Sequence, residues 1–253
     1  MKAALIQYAL VWEAPEENIL KLNDIMNEQL SDEELIIFPE LTLTGFTMKS
    51  KKFAEEWDGI GTKYFINLAQ KYKKHIFAGI IEKDDDKIFN SLYHFDTNGI
   101  IAARYRKIHP FAYSKEDEHY NAGNEQVITK IEKAKIGLTI CYDLRFPELY
   151  RLYGKKQTEI IINIANWPIQ RIEHWKVLLR SHAIANQCFV IGVNRVGKDP
   201  DYTYPGWSAV FDPMGNKIVL VEEEERLISV EFDLNKIIET REKLPFLKDM
   251  RLI

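Results

Sequence analysis

Residues 138–150 read LTICYDLRFPELY. The apolar run 136–140 stops at Cys141, and a charged segment begins at once. A buried strand that breaks into a tight turn and then a helix reads this way. The following FPELYRLYG, 146–154, has the spacing of a short amphipathic helix, with Gly154 as the expected stop. A cysteine therefore stands at the carboxyl end of a buried strand, where α/β folds place their ligand crevices.

Outward from this point the same alternation repeats. Strands are expected at 2–10, 34–40, 75–82, 87–96, 99–107, 127–141 (two runs), 159–166, 188–197, 207–222 and 226–233. Helices are expected at 15–30, 62–74, 146–154 and 172–187. Asn98-Gly99 is a hairpin signal between two strands. KDDD, 83–86, reads as a hairpin tip, and EEEER, 222–226, as a solvated turn before the last strand. Residues 109–126 read as a polar loop. The segment after about residue 235 is an amphipathic tail with no partner in the pattern. Near-continuous apolar strands alternating with helices give the α/β class, in layers with helices on sheet faces. Strands outnumber helices, so two packed sheets are expected.

Composition narrows the function classes. The chain has 253 residues, 46% hydrophobic, 28% charged and 12% aromatic, with net charge −4. Those are values of a folded globular protein, not a disordered one. No basic excess points to nucleic acid, and no apolar run is long enough to span a bilayer. The opening MKAALIQYALVWEAPEEN, 1–18, is interrupted by Gln7 and lacks a small-x-small cleavage site, so it reads as a first strand rather than a leader. Two cysteines, Cys141 and Cys188, form neither a disulfide framework nor a metal-ligand spacing. A cytoplasmic location is expected, with one thiol reactive and the other in the core. His174 and His182, eight apart on one expected helix face, lack a third ligand and make no metal site. No nucleotide fingerprint is present, and no cofactor is expected.

Three expected strands end in ionisable residues: Glu40, Lys107 and Cys141. Each alone is ordinary, since a lone Glu or Lys after a strand is commonly a solvated loop residue and a lone Cys a core residue. Together they supply acyl transfer without histidine. A thiol needs a base, and a nearby cation lowers its pKa and stabilises an oxyanion. His109, beside Lys107, offers a Cys–His dyad as the alternative.

Three segments in order, FPELTLTGF (38–46), YRKIHPF (105–111) and GLTICYDLRFPE (137–148), resemble the motifs of the nitrilase, or carbon–nitrogen hydrolase, superfamily, over nearly the whole chain. The resemblance implies a four-layer α-β-β-α sandwich, one domain over 1–253 with the tail after about 235, in homodimers. It implies Cys141 as nucleophile, Glu40 as general base and Lys107 as electrostatic stabiliser. A second catalytic glutamate is implied in SKEDEHYNAG, 114–123. Glu116 fits its spacing from Gly123 better than Glu118 does. The backbone N–H of Tyr142 is expected to face the oxyanion with Lys107.

IANWP (164–168) with the helix after it resembles the ω-amidase branch, whose members release ammonia from the terminal amide of short α-keto acids such as 2-oxoglutaramate and 2-oxosuccinamate. Such a substrate needs a cation for its carboxylate. Arg145 is one candidate, against a structural ion pair with Glu148 or Asp143. Trp167 is expected as a pocket wall, against plain core packing. The rivals are other branches (deaminated-glutathione amidase, N-carbamoyl hydrolase, nitrilase) and a non-catalytic binding protein on the same fold.

Overall fold

The computed structural model describes residues 1–252; Ile253, the end of the expected tail, lies outside them. In chain order the elements are β1 (Lys2–Gln7), α1 (Pro15–Gln29), β2 (Leu35–Ile37), α2 (Ser50–Phe53), α3 (Ile60–Tyr72), β3 (His75–Asp84), β4 (Lys87–Phe95) and β5 (Ile101–Arg106). The second half holds β6 (Ile128–Ile131), β7 (Ala134–Ile140), α4 (Pro147–Lys155), β8 (Ile160–Ala165), α5 (Ile172–Asn186) and β9 (Phe189–Asn194). It closes with β10 (Val196–Lys198), β11 (Thr203–Phe211), β12 (Lys217–Glu222), β13 (Arg226–Glu231) and α6 (Asn235–Lys243).

Two sheets form. One runs β13-β1-β2-β3-β4-β5, the other β10-β11-β9-β8-β7-β6, with β12 beside β11. Each has a parallel centre: β1, β2 and β3 in the first, β7, β8 and β9 in the second. Parallel strands need both faces covered, and period-two alternation supplies two apolar faces. Ala3, Leu5, Ile37 and Phe77 of the first sheet meet Leu138, Ile162, Ile164 and Ile191 of the second in a shared inner layer. Ala4, Ile6, Ile36 and Ala78 face outward onto Leu22, Met26, Phe65 and Leu68 of α1 and α3. Ile161, Val190 and Ala209 face outward onto Tyr150, Trp175 and Leu179 of α4 and α5. The result is an α-β-β-α sandwich, as the resemblance implies.

Several boundaries differ from the sequence pattern. β1 ends at Gln7, not Leu10, because its pairing with β13 stops at Gln7–Arg226. Gly154 does not end α4; it lies in the last turn, where a Cβ would come within 2.7 Å of Asn186 Oδ1. That glycine serves the close packing of α4 on α5. The polar loop 109–126 contains two short 3₁₀ turns. The tail is not unpartnered either. Ile237 is buried in the inner layer, and Arg241 donates to Gln187 O (3.0 Å) and Thr158 O (2.7 Å) of its own chain. Among the described residues no helix is long and apolar enough to cross a membrane.

One polar pair crosses the inner layer. His94 on β4 shares a 2.7 Å hydrogen bond with Thr129 on β6 and a 3.0 Å one with His75, and stacks on Phe77. Burial, with the neighbouring His75, pushes His94 down to about 3. Unfolding restores an ordinary imidazole near 6.5, so the unfolded state binds the extra proton below that pH. The associated stability is complete above about pH 6.5 and is lost as pH falls toward 3. At about 1.4 kcal/mol per pH unit, roughly 2 kcal/mol is gone by pH 5. Urea unfolding of wild type and His94→Gln across pH 5–7.5 checks this. The variant is expected to show the flatter pH profile, and equal slopes refute the assignment.

Candidate active site

The site forms where strand ends meet. Glu40 follows β2, Lys107 follows β5, Cys141 follows β7 and Asn166 follows β8. The Glu40 turn depends on a close approach. A Cβ on Gly79 would lie 2.4 Å from Leu41 N, so only glycine lets β3 pass behind it. Gly79 O accepts from Thr42 N (2.9 Å), and Leu41 takes a positive φ of 45°. The cysteine turn is held likewise. Cys141 has φ 44°, a left-handed conformation that costs a non-glycine residue about 1 kcal/mol. Asp143, fully buried, fixes it by accepting from Ile140 N (3.0 Å), Tyr105 Oη (2.7 Å), His109 N (3.1 Å) and His109 Nδ1 (2.7 Å). His109 thus serves Asp143, stacked face to face on Phe146.

Lys107 sits between two buried carboxylates. Its Nζ lies 2.9 Å from Glu40 Oε1 and 2.8 and 3.0 Å from the two oxygens of Glu116. Asn90 Nδ2 spans the same pair, at 2.7 and 2.9 Å. Phe111 N donates to Glu116 Oε2 (2.6 Å). Asn166 ties Glu40 to the cysteine side. Its backbone N–H donates to Glu40 Oε2 (2.9 Å), its Nδ2 to Glu40 O (2.8 Å), and its carbonyl lies 4.0 Å from Cys141 Sγ. Glu118 is outside this cluster, exposed beside Lys115.

Electrostatics follow from burial. The two carboxylates hold Lys107 well above the ordinary ammonium range, although burial opposes them. Burial, then Glu40, raises Glu116 against the pull of Lys107. The Cys141 thiol is raised too, by burial first and Glu40 next, with Lys107 opposing. Lys107 pulls the thiol down as expected, but burial and Glu40 outweigh it, which corrects the expectation of a net lowering. Two carboxylates outnumber one ammonium, so a resting thiolate would face net negative charge in a dry site.

Cys141 opens into a narrow cleft whose lining includes Phe111, Tyr142, Arg145, Trp167, Arg171 and Tyr204. Trp167 fits both of its readings: 2% exposed and packed at 5.4 Å on Trp175, it also walls the cleft. Arg145 pairs with neither Glu148 nor Asp143; its guanidinium lies 4.9 Å over the Trp167 ring. Burial lowers the Arg145 pKa, and Arg171 lowers it further. Among the described residues neither arginine has a carboxylate partner within 4.0 Å. Asn90, Asn166 and Arg171 were not singled out by the sequence pattern. Only Asn166 carried a usable signal, as a polar residue closing a buried strand.

Comparison with known proteins gives the family and the fold. Residues 2–242 match the carbon-nitrogen hydrolase family model. The chain is 33% identical over 249 residues to a 2-oxoglutaramate amidase of Bacillus subtilis, covering 97% of this chain and 96% of that one. It is 31% identical over 251 residues to the omega-amidase YafV of Escherichia coli, covering 98% and 96%. A CN-hydrolase superfamily protein from Xanthomonas campestris, with an arsenic adduct in its active site, superposes with TM-score 0.95 at 29% identity, over 100% of this chain and 98% of that one. Saccharomyces cerevisiae Nit3, a nitrilase-superfamily member, superposes with TM-score 0.87 at 28% identity, over 97% and 94%. The chain belongs to the carbon–nitrogen hydrolase family and is an amide-hydrolysing enzyme of the nitrilase superfamily.

Proposed function

We propose that the protein releases ammonia from the terminal amide of a short α-keto acid, 2-oxoglutaramate or 2-oxosuccinamate, through a Cys141 thioester. The observation that carries this reading is the pairing of two features in one cleft. A strained cysteine stands beside the Glu40–Lys107–Glu116 cluster, and two arginines without carboxylate partners share its cleft. Free guanidinium groups in a small aromatic cleft suit a substrate carboxylate, which Arg binds in a two-point fork. The relatives named as 2-oxoglutaramate amidase and omega-amidase support the same substrate class.

The cycle is balanced in protons. Glu40 takes the Cys141 proton as sulfur attacks the amide carbon, so its negative charge passes to the substrate oxygen and the total over site and substrate stays constant. The carbonyl electron pair becomes an oxyanion, in the field of Lys107 and facing the Tyr142 N–H. Collapse breaks the C–N bond, and Glu40 returns its proton to nitrogen, which leaves as ammonia. Water then gives Glu40 a proton and attacks the thioester. The C–S bond breaks, sulfur recovers the proton, and the acid departs. Glu116 keeps Lys107 in place throughout; the hydrogens of Lys107 are committed to the two carboxylates, so its charge acts through space.

Ammonia release from both keto-acid amides, with nitriles, carbamoyl amino acids and neutral amides beside them, tests the reading. Fast release from the keto-acid amides is expected. Arg145→Ala should raise KM about 10- to 100-fold, the worth of one charged hydrogen-bond partner, with kcat changed far less. Preference for a carbamoyl compound or a nitrile would refute the substrate assignment.

A further inference from the structure

His174 lies in the first turn of α5, and its Nδ1 stands 3.2 Å from both Nη1 and Nη2 of Arg145. Both arginine nitrogens are donors only, so Nδ1 is the acceptor and the ring is the neutral tautomer with its proton on Nε2. These are the hydrogen bonds the Arg145 side chain makes among the described residues. They use the end of the guanidinium fork and leave the edge formed by Nε and one Nη open. That edge has the geometry for a two-point carboxylate contact. The guanidinium carbon lies over the Trp167 ring, 4.9 Å from its centroid. Trp167 is itself held by Asn194, which accepts from Trp167 N (2.7 Å), and by its own Nε1 donating to Arg171 O (2.7 Å). Without His174 the Arg145 side chain keeps its contacts with the Tyr142 and Trp167 rings, which do not fix the direction of the fork.

We propose that His174 is a positioning residue that presets Arg145 as the clamp for the substrate carboxylate. It acts on specificity through Arg145 and touches no reacting atom. The inference rests on the keto-acid reading above. A preset side chain loses less conformational entropy on binding, so the effect belongs in KM for carboxylate-bearing substrates.

The measured quantity is the ratio of kcat/KM for 2-oxoglutaramate to that for pentanamide, which has the same chain length and no carboxylate. His174→Ala is expected to lower this ratio about fivefold, the worth of a modest hydrogen bond, with the change in KM. Asn places its side-chain oxygen where Nδ1 stands, so His174→Asn should restore the ratio. Gln reaches instead to the Nε2 position, so His174→Gln should not. An unchanged ratio in His174→Ala, with wild type still preferring 2-oxoglutaramate, overturns the inference and leaves the keto-acid reading standing. A fall that neither or both of Asn and Gln repair overturns it too, since Nδ1 is then not the responsible atom. Wild type that shows no preference for 2-oxoglutaramate over pentanamide removes the keto-acid reading and the inference with it.

Discussion

Cys141→Ala is expected to lower ammonia release by at least about 10⁴-fold, the scale of losing a covalent nucleophile, with little change in stability. The residue is half-buried, and the mutation removes a single sulfur atom. Its positive φ strains alanine as much as cysteine, so the backbone cost cancels between the two. Asp143 and its four donors, which hold the turn, are untouched. A near-wild-type melting temperature with no turnover is therefore the expected pair of results. Retained turnover would remove Cys141 from the chemistry. The thiol itself can be followed with iodoacetamide. Burial and Glu40 hold it above the ordinary thiol range, so labelling should be slow at neutral pH and rise steeply on the alkaline side. Cys188, fully buried and pushed up to about 12, should label more slowly still. Equal labelling of both, or fast neutral labelling of Cys141, would contradict this electrostatic picture. Proton transfer to Glu40 must then accompany attack on the substrate, since little free thiolate exists beforehand.

The sequence shows which residues gather at strand ends but not how their charges balance. Glu40, Lys107 and Cys141 each close an apolar run, so backbone periodicity alone puts them on one rim. Asn166 obeys the same rule. Asn90 does not: it lies inside β4, and its partners Glu40 and Glu116 are 50 and 26 residues away. Only the packing of strands brings it to both. Arg171 sits in a short turn before α5 with no periodic signal around it. The sign of the Cys141 shift was illegible for the same reason. The lysine does pull the thiol down, but burial and the two carboxylates that pair with it outweigh that pull, and both are three-dimensional facts. Element ends were misread where pairing partners run out, as after Gln7, and where a glycine serves packing, as at Gly154.

Lys107→Met should remove activity by at least about 10³-fold, the scale of losing a preorganised charge at an oxyanion. It should also destabilise the protein by about 4 kcal/mol at pH 7, as breaking a buried ion pair does. Methionine fills most of the volume but leaves Glu40 and Glu116 facing each other, bridged only by Asn90. Two buried carboxylates without a cation cannot both stay ionised, so one takes a proton and its folded-state pKa climbs. Glu116 is the nearer to doing so, since burial and Glu40 already raise it in the wild type, and Lys107, the larger of the two groups holding it down beside Asn90, is gone. In the unfolded chain both carboxylates titrate near 4.3. Between that value and the raised folded pKa the folded variant binds more protons than the unfolded one, so its stability increases as pH falls. The cost of the substitution should therefore shrink from pH 7 toward pH 5. Wild type and variant share His94, so its acid loss cancels in their difference. Urea unfolding of both proteins at pH 5, 6 and 7 measures that difference directly. A cost that stays flat or grows on acidification would mean that Lys107 is not what keeps the two carboxylates ionised, and the charge balance assigned to the site would fall with it.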